Sequence, residues 1–275
     1  MQAIESTDLE NKLIALKKRV SLSDSLIVAY SGGVDSALLA SVAHQVLGDK
    51  SLAVIAESPS ITDIEINKAI SLSKTVGFSC HIIKTQEIER PEYKANQPNR
   101  CYFCKDTLYQ ELSKLASKLN YKTVANGTNH DDLGDHRPGI KAASDHGVIS
   151  PLAEVGLTKT DIRALSRDMN LPTWDKPAQA CLASRVPYGT QISSKLLNRI
   201  GAAEQVLRDL GFDQLRVRDH NTIARIELPI SEFDKLLTPL IKQEITKRLK
   251  SLGYKYITID IEGFRSGSKN ERLSS

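Results

Sequence analysis

The sequence predicts an α/β fold, a parallel-sheet domain followed by a smaller α+β domain. Three observations carry that prediction. Short β-branched apolar runs alternate with helical-period segments from Ser25 to Ala125, the pattern of βαβ units around a parallel sheet. A glycine pair, Gly32-Gly33, falls at the first strand-to-helix junction. From about residue 190 the order changes to helix, two strands, helix and strand. Domain limits are accordingly placed at 1–189 and 190–275, the second with a substrate-binding or oligomerisation role.

Taken in order, Leu9, Leu13, Leu16 and Val20 mark an amphipathic first helix. Ser25–Tyr30 reads as a buried strand, and Leu38, Leu39, Val42 and Val46 set the face of the next helix. Ser51–Ala56, Asp63–Val76 and Phe78–Lys84 continue as strand, helix and strand. Gln86–Arg100 is polar, holds two prolines and has no period, so it reads as a long excursion. It ends in Cys101-Tyr102-Phe103-Cys104, after which Leu108, Leu112, Leu115 and Leu119 define a helical face. Tyr121–Ala125 is the fourth strand, followed by Gly127-Thr128-Asn129 and the polar run from His130 to Asp135. At the carboxyl end of a parallel strand, these residues read equally as ligand contacts or as a solvated turn. Val148–Pro151 is a short fifth-strand candidate, and Thr158-x-x-Asp161 opens a capped helix. The proline-dense run from Leu171 to Gly189 is a loop that something must hold in place.

In the second unit, Leu196, Ile200, Ala203, Leu207 and Leu210 make an amphipathic helix. Gln214–Arg218 and Thr222–Leu228 alternate as half-buried strands, Leu237–Leu249 is helical, and Lys255–Ile261 closes with a strand. Arg216 and Arg218 share one strand face, with Arg225, Glu227 and Arg265 at or near strands of the same unit. Arginine suits bidentate capture of carboxylate or phosphate, although an arginine on a sheet face is more often solvated.

Composition narrows the function classes. With 275 residues, 40% of them hydrophobic, the chain can bury a full α/β core and a second small one. A net charge of +4 without a long basic run argues against nucleic acid as the main partner. The N-terminus mixes acids into its apolar period, unlike a targeting peptide, and no apolar run is long enough to span a membrane. Cysteines 80, 101, 104 and 181, with no secretion signal, suggest the cytoplasm and metal or redox chemistry over structural disulfides.

Chemistry centres on Tyr30-Ser31-Gly32-Gly33-Val34-Asp35-Ser36. Glycines at a strand-to-helix junction let successive N–H groups turn to one oxyanion, where the helix dipole already favours negative charge. The hydroxyls of Ser31 and Ser36 add donors. A Walker loop would need a lysine, and none occurs from Val20 to Asp49, which argues against γ-phosphate transfer. The S-G-G-x-D-S motif resembles the pyrophosphate loop of the ATP-pyrophosphatase, or PP-loop, superfamily. That resemblance implies cleavage of ATP between the α- and β-phosphates and adenylation of a substrate oxygen.

The C-x-x-C pair, Cys101 and Cys104, fits a redox disulfide, half of a zinc site or part of an iron–sulfur cluster. Zinc would need Cys181 and a histidine such as His130 or His136; three thiolates alone suit a [4Fe–4S] cluster with one open iron. Cys80, in an apolar strand, reads as a small core residue.

S-G-G-V-D-S, the G-T-N stretch, K-P-x-x-A-C-L-A-S-R with P-Y-G after it, and G-F-R-S-G-S-K-N together resemble the LarE family. These are PP-loop sulfur transferases that build the nickel-pincer nucleotide cofactor of lactate racemase. The resemblance spans about residues 10 to 270. It implies a nucleotide-like substrate, pyridinium-3,5-biscarboxylic acid mononucleotide, whose carboxylate is adenylated with ATP and Mg²⁺ and converted to a thiocarboxylate. Ser31, Gly32, Gly33, Asp35, Ser36 and Gly127 would serve ATP, while Arg185, Arg216 and Arg265, with Glu204 nearby, would grip the substrate. One branch of the family sacrifices the sulfur of a cysteine matched by Cys181; another holds a [4Fe–4S] cluster with three cysteines. Cys101, Cys104 and Cys181 put this chain with the cluster branch, as metal ligands and sulfur-transfer residues. A homo-oligomer, with a hexamer as the candidate, is implied too. The main rival is a PP-loop tRNA thiolase, which would require a basic RNA platform.

Overall fold

The structure, a computed structural model, describes residues 2–134, 138–177 and 180–265, with the side chains of residues 2–6 left aside. His136 and the last five residues of G-F-R-S-G-S-K-N lie outside the described residues. The chain forms two compact units, 1–93 with 99–179, and 94–98 with 180–275. Residues 180–189, assigned to the first domain on composition, pack with the second unit, as does the short segment 94–98 of the polar excursion.

The first unit runs α1 (Gln2–Ser21), β1 (Leu26–Ala29), α2 (Val34–Leu47), β2 (Ser51–Glu57), α3 (Asp63–Val76) and β3 (Cys80–Lys84). It continues with α4 (Pro91–Lys94), α5 (Arg100–Leu119), β4 (Thr123–Ala125), α6 (Pro138–Asp145), α7 (Pro151–Glu154) and α8 (Lys159–Asp168). The four strands form one parallel sheet in the order β3-β2-β1-β4. β1, flanked by strands on both sides and by helices, buries Leu26, Ile27 and Val28 fully, which is why its sequence is continuously apolar instead of alternating.

Leu16, Val20, Leu38, Leu39 and Val42 join β1 and β2 in one core, and Tyr109, Leu112 and Ala116 of α5 cover another with Ile27 and Val54. Helix α8 starts where its Thr158-x-x-Asp161 signal predicts, and α3 opens on the same kind of capping box. Thr62 and Thr158 each accept from the N3 backbone, while Glu65 and Asp161 accept from the cap residue's own N–H. The expected fifth strand does not form a ladder: only Ile149 bridges Ala125, and Pro151, which has no N–H to donate, opens α7 instead.

The second unit contains α9 (Ser194–Asp209), β5 (Arg216–His220), β6 (Ile223–Glu227), α10 (Phe233–Leu237), α11 (Pro239–Ser251) and β7 (Tyr256–Ile259). β5 pairs antiparallel with β6, and β6 parallel with β7. The helix expected over 237–249 is two, because the residue before Pro239 is extended and breaks the helical run at Thr238. Phe212, Val217, Ala224, Ile226, Leu228 and Leu249 centre its core. Asn96 belongs to this unit: its side-chain amide donates to the carbonyls of Pro187 at 2.7 Å and Thr190 at 3.1 Å.

Candidate active site

β1 lies where the sheet changes direction, with β2 on one side and β4 on the other. In open α/β sheets the crevice at such a switch point, beyond the strand carboxyl ends, is where ligands bind. Two loops meet there, one after β1 and one after β4. Gly32 has φ +70°, and a Cβ on it would stand 2.7 Å from the Cβ of Ala69, so the loop can fold against α3 only with glycine. A Cβ on Gly127 would lie 2.9 Å from the backbone nitrogen of Ser36, so the β4 loop touches the first turn of α2 backbone to backbone.

The Ser36 hydroxyl donates to the Gly33 carbonyl at 3.2 Å and accepts from the backbone N–H of Ser31, while the Ser31 and Ser36 hydroxyls are 3.2 Å apart. The loop therefore organises itself around its own serines. Asp35, in the first turn of α2, accepts from the Asn129 amide at 3.1 Å and from Lys159 Nζ at 2.5 Å on each oxygen. Asn129 is fully buried, so of the Gly127-Thr128-Asn129 stretch two residues fix the loop directly. Lys176 Nζ donates to the Gly32 carbonyl at 2.8 Å. Burial pushes its ammonium below the ordinary lysine range, with Glu65 opposing and Lys68 adding to that shift.

Beside the loop, a pocket is lined by Ala29, Tyr30 and Ser31 from β1 onward, Val54–Ala56 of β2, Glu65 and Ala69 of α3, and Lys105 and Leu108 of α5. Its walls are largely apolar, with Ser31, Glu65 and Lys105 as polar groups, the lining of a small-molecule site. Burial, then the nearby Cys80, raises the Tyr30 hydroxyl above the usual tyrosine range, and it donates to the Ala69 carbonyl at 3.2 Å.

Helix α5 brings the thiols to this end of the sheet. Cys101 and Cys104 lie in its first turns at a spacing of three, on one face, with Cys101 exposed and Cys104 half-buried. Arg100, buried behind them, sets its guanidinium 4.0 Å from Cys101 Sγ. Lys105, the next residue, reaches the pocket. Cys80 is half-buried in β3 against the core, as its apolar surroundings suggested. His130 is exposed, and among the described residues no group of three or more His, Cys, Asp or Glu side chains gathers around one metal position.

Cys181 belongs to the second unit, where it caps a short 3₁₀ turn over Leu182–Arg185. That turn is held from beneath. Arg185 grips Glu204 with Nε at 2.8 Å and Nη2 at 3.2 Å, while its Nη1 donates to the carbonyls of Ala180 at 2.6 Å and Cys181 at 3.2 Å. Arg218 grips Glu227 in the same bidentate way, at 2.8 and 3.1 Å, and donates to the Ser184 carbonyl at 2.7 Å. The expectation of solvated arginines fails here: Arg216 and Arg218 are 7% and 5% exposed, because the face they share with Glu227, opposite the core face of Val217 and Ile226, is covered by the Leu182–Arg185 turn and by Phe264.

Arg216 lies over the Phe264 ring at 4.4 Å and donates to the Arg265 carbonyl at 2.8 Å. Burial, then the charges of Arg218 and Arg185, lower its pKa from the arginine norm. Buried Arg185, Arg216 and Arg218 thus face two buried carboxylates, Glu204 and Glu227. Arg208 also pairs with Glu204, and Arg225 with Glu227 and Asp260, so positive charge exceeds negative here, a setting that favours an anion. Arg265 pairs with Glu262 at 2.7 Å near this group. Of the sequence-expected residues, the structure thus gathers Ser31, Gly32, Gly33, Asp35, Ser36 and Gly127 in the first unit, with Cys101 and Cys104 opening the helix beside their pocket. Cys181, Arg185, Glu204, Arg216 and Arg265 gather in the second.

Sequence reasoning missed Lys159, Lys176, Glu65 and Lys105 as members of these sites, while Arg218 and Glu227 stand out in the sequence only as strand charges of the second unit. Lys159 follows the helix cap Thr158 and Lys176 opens K-P-x-x-A-C, so both stood beside patterns already noticed.

Fold and loop define the class, an α/β protein of the PP-loop type. A family model described as NAD synthase matches residues 9–123, the part that carries the loop and three of the four sheet strands. An uncharacterised protein of Synechocystis is 44% identical over 97% of this chain and 99% of its own length. The pyridinium-3,5-bisthiocarboxylic acid mononucleotide synthase of Lactiplantibacillus plantarum is 40% identical over 90% of this chain and 89% of its own. An uncharacterised protein of Methanocaldococcus jannaschii is 32% identical over 92% of this chain and 100% of its own. The chain belongs to the LarE family and is an enzyme of that type. Among the described residues no helix is long and apolar enough to cross a membrane.

Proposed function

We propose that this chain is an ATP-dependent sulfur transferase acting on pyridinium-3,5-biscarboxylic acid mononucleotide, with Cys101, Cys104 and Cys181 holding a [4Fe–4S] cluster. One observation carries the reading: the C-x-x-C pair opens the helix whose next residue, Lys105, lines the same pocket as Ser31 of the pyrophosphate loop. In this reading the C-x-x-C pair and the nucleotide loop serve one site. The 40% identity to a relative named for a bisthiocarboxylic acid product supports the substrate class.

The apolar pocket would take the adenosine, and Ser31, Gly32, Gly33 and Ser36 the phosphates. Asp35, at the start of α2 and partly exposed, would hold Mg²⁺, which would offset phosphate charge when bound. A substrate carboxylate oxygen attacks the α-phosphorus and pyrophosphate leaves, making a mixed anhydride. Sulfide then attacks the carbonyl carbon, AMP departs, and a thiocarboxylate remains; no electrons are gained or lost. Two thiols one helical turn apart and a third on a turn fixed by Arg185 suit ligation of a cluster, which would supply the position from which sulfide is delivered. Arg216 and Arg265, beside the surplus positive charge, would bind the substrate's phosphate or second carboxylate. Arg185 and Glu204 hold the Cys181 turn in place. A homo-oligomer in the cytoplasm, working in nickel-pincer nucleotide assembly, completes the reading.

The test is to follow AMP, pyrophosphate and thiocarboxylate with ATP, Mg²⁺, sulfide and the dicarboxylate mononucleotide. Cys101→Ala and Cys104→Ala are expected to release pyrophosphate normally yet form no thiocarboxylate. Full sulfur transfer by either variant would refute the three-thiolate assignment. Absence of substrate-dependent pyrophosphate release from the unaltered protein would refute the adenylation.

A further inference from the structure

The loop poses a charge problem. A nucleoside triphosphate carries about four negative charges, and a helix N-terminus offers roughly half a positive one. From Val20 to Asp49 the chain has no lysine, arginine or other permanent cation, yet it keeps an acidic residue, Asp35, in the loop itself. The missing charge arrives from far along the chain. Lys159 reaches both oxygens of Asp35, and Lys176 reaches the carbonyl of Gly32, so one ammonium stands at each end of the loop.

We infer that Lys159 and Lys176 are the cationic half of the pyrophosphate site, binding the β- and γ-phosphates of ATP and the leaving pyrophosphate. This inference rests on the ATP-dependent reading above and adds residues to it. Each lysine is held ready by a different device. Lys159 is the first residue of α8: its backbone N–H donates to Asp131 Oδ2 at 2.7 Å, and the Thr158–Asp161 capping box fixes the helix start. Its side chain stays about two-fifths exposed, at 38%, and Asp35 at 23%, so a ligand can reach both from solvent. Lys176 follows a turn pinned by Arg163, whose guanidinium donates to the carbonyls of Trp174 at 2.7 Å and Lys176 at 2.8 Å.

The chemistry needs cations at these points. When the carboxylate attacks, the bond from the α-phosphorus to its bridging oxygen breaks and that oxygen keeps the electron pair. The added charge falls on the β-phosphate, and ammonium groups at the loop stabilise it most as it develops. Lys159 neutralises Asp35 in the structure; a bound triphosphate would draw Lys159 to phosphate, and Asp35 would then be available to hold Mg²⁺. A purely structural role for either lysine would instead leave phosphate affinity untouched.

Calorimetric titration of the full-length protein with inorganic pyrophosphate, ATP and AMP, each with Mg²⁺, separates the possibilities. Lys159→Gln and Lys176→Gln are expected to weaken pyrophosphate and ATP binding about tenfold or more, the loss of one charge-assisted contact, with AMP binding unchanged. Lys159→Arg and Lys176→Arg, which keep the charge, should recover most of the loss. Pyrophosphate affinity unchanged in the Gln variants would overturn the inference, and so would equal loss of AMP and pyrophosphate that Arg does not restore, since that marks a collapsed pocket. An unaltered protein that binds neither ATP nor pyrophosphate would overturn the ATP reading itself.

Discussion

Gly127 shows how a single missing methyl group shapes the site. A Cβ there would press on the backbone of Ser36, at 2.9 Å from its nitrogen and 3.2 Å from its Cα, and backbone cannot rotate away as a side chain can. Gly127→Ala should push the β4 loop off the first turn of α2 at a cost of about 1–3 kcal/mol. ATP affinity would then fall roughly tenfold or more, with the protein still folded. Titration with ATP beside a thermal melt checks this; an alanine variant with normal affinity would mean the two loops move independently. Much of this was legible in the sequence, because Gly32, Gly33, Asp35 and Ser36 announce themselves in six contiguous residues. The lysines were not, since Lys159 and Lys176 reach the loop only through the fold, across more than a hundred residues. Strand alternation puts Arg216 and Arg218 on one face, but it does not say that the Leu182–Arg185 turn and Phe264 cover that face, so their burial was not legible.

At the scale of elements, α5 joins the thiols to the sheet, and its position depends on Asp106. That carboxylate accepts from Arg90 at 2.5 Å and pairs with His146 Nε2 at 2.6 Å, and Arg90 lies over the Phe103 ring between the two cysteines at 5.3 Å. Burial would raise the Asp106 carboxyl, but Arg90 and His146 outweigh it and hold it below the usual carboxylate range. A depressed carboxyl stabilises the fold at pH values above its unfolded value of about 3.9, and the contribution disappears as pH falls through the lower folded value. Asp106→Asn should therefore be less stable than the unaltered protein at pH 7 and show a smaller loss on acidification below about pH 4. Thermal melts across that range measure it; parallel curves for the two proteins would remove Asp106 from the account. The capped start of α8 was legible because Thr-x-x-acid is local chemistry. The fate of 86–100 was not: its 3₁₀ turn and α4 are brief, and Lys94–Pro98 pack with a unit formed mainly by residues 180 onward.

At the scale of the whole molecule, chemistry is divided between two units with separate cores. The first holds the glycine loop, the pocket and two thiols; the second holds Cys181 on a turn anchored by Arg185 and Glu204, beside a group of arginines that outnumber their carboxylates. The central claim is that the chain transfers sulfur repeatedly, its three cysteines carrying sulfide without being consumed. The measurement that tests this most directly is the amount of thiocarboxylate formed per chain when anaerobically reconstituted protein is given excess ATP, Mg²⁺, dicarboxylate mononucleotide and sulfide. A yield well above one per chain, with the intact mass of the protein unchanged, is the predicted result. A yield that stops at one, with the protein lighter by one H₂S at Cys181, would contradict it and make Cys181 itself the sulfur donor.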